Sequence, residues 1–191
     1  MELPSRKNAL DLFYEYTKSE SLRKHGLAVE QVMRAYARKF GENEDLWGIT
    51  GLLHDFDYEQ YPTESEHPTV GVSILRDKGY PESCCLAILG HASYTGVKRE
   101  SLMAKTLFAV DELTGFIFAV TYVRPSKSIH DVKVKSVTKK LKTSSFAAKV
   151  NREDIRIGIE EMGIDRSEHI QFVINALKEK AEELGLQGDA Y

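Results

Sequence analysis

Residues 49–55 read Ile-Thr-Gly-Leu-Leu-His-Asp, an apolar run that ends abruptly in an imidazole and a carboxylate. Asn43 supplies an N-cap for a helix whose apolar face takes in Leu46, Ile49 and Leu53, so His54 and Asp55 fall at the end of a buried helix. Upstream, the spacing predicts a short helix marked by Leu10, Phe13, Tyr14 and Thr17. A second follows over about 21–40, with Leu22, Val29, Val32, Met33, Tyr36 and Phe40 on one side. Downstream, 56–66 reads as a polar loop holding Pro62, and His67-Pro68 reads as a helix start because proline suits the first helical position. That helix is expected to stop at Gly79, with Pro81 two residues later.

Further along, a helix over about 82–90 and a turn through 93–96 precede a long apolar helix over about 100–123, stopped by Arg124-Pro125. Asn151 and Asp165 (with Glu168 three residues on) read as N-caps of two last helices ending near Met162 and Leu184. Strand-like alternation is scarce: 132–137 is the only β-branched stretch, and it is too short to set a fold. The expected architecture is all-α, a single-domain helical bundle over 1–191. Its core spans about 20–123, followed by a basic segment over 124–150 and two C-terminal helices over 151–186.

At 191 residues the chain can bury its own core, and 42% hydrophobic with 29% charged residues places it among ordinary globular proteins. No apolar run approaches the roughly 18 residues of a membrane-spanning helix, and residues 1–8 are polar. Neither a membrane span nor export is therefore expected. The two cysteines, Cys84 and Cys85, are adjacent and read as small buried residues rather than a disulfide, which fits a reducing cytoplasm. The net charge of −3 hides an asymmetry: residues 123–152 carry nine Lys or Arg against one acid, Asp131. That window is therefore basic and the rest acidic, which points to an anionic partner or to a solvated face.

The histidines are placed informatively. His25 shares a helix face with Val29, Val32 and Tyr36, His54 ends a helix, His67 begins one, and His91 ends another. Asp111 lies within the apolar stretch 106–120 and shares its face with Leu107, Thr114 and Phe118. A buried carboxylate needs a positive partner. No Lys or Arg lies one turn away on that face, so a bound cation is a natural candidate. A lone buried histidine is usually a hydrogen-bonded core residue, but the whole set is hard to explain by packing. His130, in the basic segment, and His169, at a charged helix start, are assigned ordinary structural places.

The order His25, His54-Asp55, Asp111 resembles the H…HD…D signature of the HD superfamily. The contexts match too: Arg-Lys-His-Gly-Leu-Ala-Val-Glu, Gly-Leu-Leu-His-Asp and Phe-Ala-Val-Asp-Glu-Leu. His67 and His91 stand where the binuclear branch, including HD-GYP and HDIG-type proteins, has two more ligands. The whole chain is also similar to short predicted HD hydrolases of unassigned substrate. The resemblance implies that His25, His54, Asp55 and Asp111 hold one metal, and that His67 and His91 hold a second, with Asp55 bridging. His54 and Asp55 would then carry the catalytic role. Two divalent transition metals follow, Fe or Mn first, with Zn, Co, Ni or Mg as alternatives; imidazole-rich shells suit transition metals better than Ca or Mg.

The implied reaction is hydrolysis of a phosphoester or phosphoanhydride in a small phosphorylated metabolite or nucleotide, by water activated between two ions. Cleavage of a dinucleoside polyphosphate and mixed-valence di-iron oxygenation are the alternatives, because related HD proteins use the same ligands. Phe56, Asp57 and Tyr58 replace the Ile-Gly of HDIG sequences, and the GYP motif is absent, so cyclic dinucleotide hydrolysis is not expected. Asp57 and Glu59 could act as proton donors or supporting partners, although acids in loops are commonly just solvated. Arg124, Lys127, Lys133, Lys135 and Arg152 are candidate phosphate contacts, with Tyr94 beside His91. Lys139, Lys140 and Lys142 read as solvated. A polynucleotide partner is not expected, because only Phe146 interrupts the basic segment with a stacking ring.

Overall fold

A computed structural model describes residues 3–188 and divides the chain into two compact units, Met1–Phe108 and Ala109–Tyr191. Nine α-helices make up the described residues: α1 (Arg6–Tyr16), α2 (Glu20–Phe40), α3 (Glu44–Leu53), α4 (Thr69–Asp77), α5 (Glu82–His91), α6 (Leu102–Tyr122), α7 (Val134–Leu141), α8 (Arg152–Met162) and α9 (Arg166–Lys178). The all-α expectation holds. No helix among the described residues is long and apolar enough to cross a membrane.

In the first unit, caps written in the sequence start and stop the helices. Ser5, Ser19 and Asn43 accept backbone N–H bonds at the starts of α1, α2 and α3. Gly41 ends α2 in the left-handed region at φ +71°. Helix α3 packs on α1, α2 and α5, and α4 packs on α5. The approach of α2 to α3 is close because Gly51 lacks a side chain: a Cβ there would lie 2.9 Å from the Val29 carbonyl oxygen. Val29 is one turn beyond His25 and Gly51 is one turn before His54, so this contact brings the two histidines together.

The segment after His54-Asp55 is less polar in place than in composition. Phe56 is fully buried and meets Tyr16 edge-on at 5.2 Å. Thr17 Oγ1 donates to the Phe56 carbonyl at 3.0 Å, and Gln60 donates to the Tyr16 carbonyl at 3.1 Å. Glu59 accepts from the backbone N–H groups of Lys18 and Ser19 at 2.7 and 2.9 Å. Glu59 thus pins the loop to the α1–α2 junction. Helix α4 begins at Thr69, one residue later than the expected first helical position at Pro68, which instead sits at the N-cap after a cis peptide bond. His67 consequently sits on the turn before the helix.

The second unit holds the remainder of α6 together with α7, α8 and α9. Residues 134–141 are helical, not strand-like: Val134, Val137 and Leu141 recur at helical spacing, and Val137 is fully buried. Helix α9 gives way to turns after Lys178, earlier than the expected end near 184, although Ala181, Leu184 and Leu186 stay buried. Gly158 of α8 lies against Ala109, where a Cβ would stand 2.6 Å from the Ala109 Cα. The Ile129 N–H donates to the Leu186 carbonyl at 2.8 Å, closing the basic segment onto the last residues.

Candidate metal centre

Four of the six expected ligands are imidazoles from the first unit, and their hydrogen bonds decide what each can do. His54, just past α3, donates Nδ1–H to the Gly51 carbonyl at 2.8 Å. His91, the last residue of α5, does the same to the Ile88 carbonyl. In both cases a helix C-terminus offers a carbonyl with no partner inside the helix, and the histidine three residues on takes it. His67 has its Nδ1–H on the Asp57 carboxylate at 2.8 Å. In the neutral ring these partners keep the proton on Nδ1, so that Nε2 is the nitrogen that can offer a lone pair.

The lone pairs converge. His25 Nε2 is 3.2 Å from His54 Nε2, and His67 Nε2 is 3.3 Å from His91 Nε2. Two unprotonated nitrogens facing one another repel unless a cation or a proton lies between them, so the donor set fits metal ions. Asp55 stands between the pairs with its oxygens divided. Oδ2 faces His54 at 3.4 Å and His25 at 4.0 Å, while Oδ1 lies 3.2 Å from both His67 and His91. Each group, His25 with His54 and Asp55, and His67 with His91 and Asp55, keeps its ligand atoms within 4.8 Å of one another. Asp55 belongs to both. With 23% and 21% of their side chains exposed, Asp55 and His25 leave the centre reachable from solvent.

The electrostatics agree with a place made for positive charge. Burial works against the Asp55 charge, but His54 first, then His67 and His91, hold its carboxyl well below the usual range. Burial also disfavours a charged His67, yet Asp55 and Asp57 outweigh it and raise its pKa to about 9. A proton on His67 can therefore stand where a metal would bind.

Asp57, which with Glu59 the sequence offers as a proton donor or supporting partner or else a solvated loop acid, is almost completely buried. Its Oδ1 accepts from His67, and its Oδ2 accepts from the Gly71 N–H at 2.8 Å. The one local hint is Gly71, a glycine inside a short helix. Tyr94, on the 3₁₀ turn Ser93–Thr95, donates its hydroxyl to the His67 carbonyl at 3.0 Å. Burial, and after it the Asp55 charge, pushes the Tyr94 phenol up to about 12, so it remains a donor at neutral pH. The Tyr58 ring meets the His67 ring edge-on at 5.2 Å.

The remaining expected residues lie in the second unit. Asp111 is partly buried on α6, which runs through the division between the units. Lys127, Lys133 and Lys135 are exposed, and Arg124 is partly buried beside Ser136. Arg152 donates to the carbonyls of Thr143, Phe146, Ala147 and Val150 and lies over the Phe116 ring, so its guanidinium organises the basic segment. His169 is buried and paired with the Ala109 carbonyl at 3.0 Å, an ordinary structural place as expected. His130 is exposed.

No solved structure matches the chain. Residues 22–115 match the family model of the HD domain, a span that begins just before His25 and closes just after Asp111. With its clustered histidines and aspartate able to hold metal, the chain carries an HD domain over residues 22–115, a family whose members are generally metal-dependent phosphohydrolases.

Proposed function

We propose that this protein hydrolyses a phosphoester or phosphoanhydride bond in a small phosphorylated metabolite or nucleotide, at a centre of two divalent transition metals. The observation that carries the reading is Asp55, whose two oxygens face two separate histidine pairs. His25, His54, Asp55 and Asp111 would hold one ion; His67, His91 and Asp55 would hold the other. Fe and Mn suit this mixture of imidazole and carboxylate, with Zn, Co, Ni or Mg as substitutes. When bound, the ions supply an activated water and charge for the phosphoryl oxygens.

The chain's own residues do the rest. Asp55 keeps its negative charge at neutral pH and sets the two histidine pairs at their separation. His54 and His91 hold fixed tautomers through their own helices, so their Nε2 atoms need no reorganisation. Tyr94 braces the His67 carbonyl and would be within the substrate's reach. Arg124, Lys127, Lys133 and Lys135 are the basic side chains that would attract an anionic substrate, and Arg152 shapes their segment. The buried, unpaired Cys84 and Cys85 support a reducing cytoplasm as the compartment.

The test is phosphate release from a panel of nucleotides, dinucleoside polyphosphates and phosphomonoesters, with Mn, Fe or Mg added and a chelator as control. Metal-dependent release from at least one class is expected. Oxygen consumption with iron, and no phosphate release, would replace hydrolysis with oxygenation.

A further inference from the structure

We infer that Asp57 and Gly71 together set the direction of His67, and through it the affinity of the His67–His91 side of the centre; this rests on the two-ion reading above. His54 and His91 find an acceptor three residues back in their own helices. His67 stands on the turn before α4 and takes its Nδ1 acceptor from Asp57, ten residues earlier in the chain. The orientation of this one ligand therefore depends on a buried side chain that touches no metal.

Asp57 is itself fixed from the other side. Its second oxygen accepts from the Gly71 N–H, and a Cβ on Gly71 would lie 2.6 Å from both its Cγ and its Oδ2. Glycine is required because α4 presses its backbone against the carboxylate. Both oxygens accept, so the site needs a carboxylate: an amide offers one acceptor and would aim its NH₂ at the other N–H. With Nδ1–H held by an anion, His67 Nε2 points its lone pair at Asp55 and His91, and the anion also makes it a stronger ligand. Asp57 is a positioning residue, acting only through His67.

The experiment titrates Zn(II) into the full chain against a chromophoric chelator, comparing wild type, Asp57→Asn and Gly71→Ala, with circular dichroism to confirm the helices. Wild type should take two ions. Each variant should keep one at wild-type affinity and bind the other about ten- to hundredfold more weakly. Gly71→Ala leaves every ligand and Asp57 itself in the chain, and alanine favours helix over glycine, so it serves if Asp57→Asn fails to fold. In the Zn-loaded wild type, ¹⁵N spectra should show His67 as the Nδ1–H tautomer, a signature lost in Asp57→Asn. Two wild-type affinities in both variants, with wild type binding two ions, would overturn this inference alone. Fewer than two ions in wild type would overturn the two-ion reading and this inference with it.

Discussion

His54 in the first unit and His169 in the second are equally buried, and each has a ring nitrogen on a backbone carbonyl, yet they are set up for different work. His54 gives Nδ1–H to its own helix and leaves Nε2 facing His25 and Asp55. His169 commits Nε2 itself to the Ala109 carbonyl and joins no group of potential ligands among the described residues. Burial does not mark a ligand. What marks it is the nitrogen left for a neighbour, and whether that neighbour is anionic.

The largest effect should come from removing the anion that the first-unit histidines share. Asp55→Ala should abolish metal binding and turnover together, because both histidine pairs lose the same carboxylate. Unchanged metal content in this variant would dissolve the distinction between the two kinds of histidine.

The next effect is pH dependence. Metal must displace the proton that His67 holds up to about pH 9, so affinity should fall about tenfold per pH unit below that value, with release of one proton. Calorimetric titration in buffers of different ionisation enthalpy would count the proton. Without metal the sign reverses for stability. His67's folded pKa is raised above its usual 6.5, so its contribution is complete below about 6.5 and is lost as pH rises through about 9. Asp55, depressed instead, contributes above the ordinary carboxylate range and loses that contribution in acid. The Tm of metal-free protein should therefore drop between pH 7 and pH 9.5, a drop that bound metal removes. A flat metal-free profile there would contradict the His67 assignment.

The smallest effect belongs to the second unit. His169→Ala should cost about 1–3 kcal/mol in denaturant unfolding, by removing a buried hydrogen bond to the Ala109 carbonyl and opening a cavity in place of the ring. Metal content should not change.

Much of this contrast was legible in the sequence where the cause is local. The caps at Asn43, Asn151 and Asp165 lie next to the helices they start, and the apolar run ending at His54 announces its own burial. The His54 tautomer is local too, since its acceptor is three residues away. Asp57 was legible only as one of two acids, with Glu59, that could support the doublet; its burial and its pairing with His67 were not. Its burial depends on Gly71, fourteen residues on, and on the packing of α4, so composition alone leaves it as one acid among several in a loop. The β-branched stretch over 132–137 was read as too short to set a fold, but its helix was not read: Val134, Val137 and Leu141, spaced by three and four, lie along one side of α7. The start of α4 was misplaced because a proline fits an N-cap turn as well as a first helical position.

The measurement that tests the central claim most directly is elemental analysis of the purified full chain after reconstitution with Mn or Fe. About two ions per chain is the result this account predicts. A chain that retains none after reconstitution would mean that the converging nitrogens around Asp55 are not a metal centre.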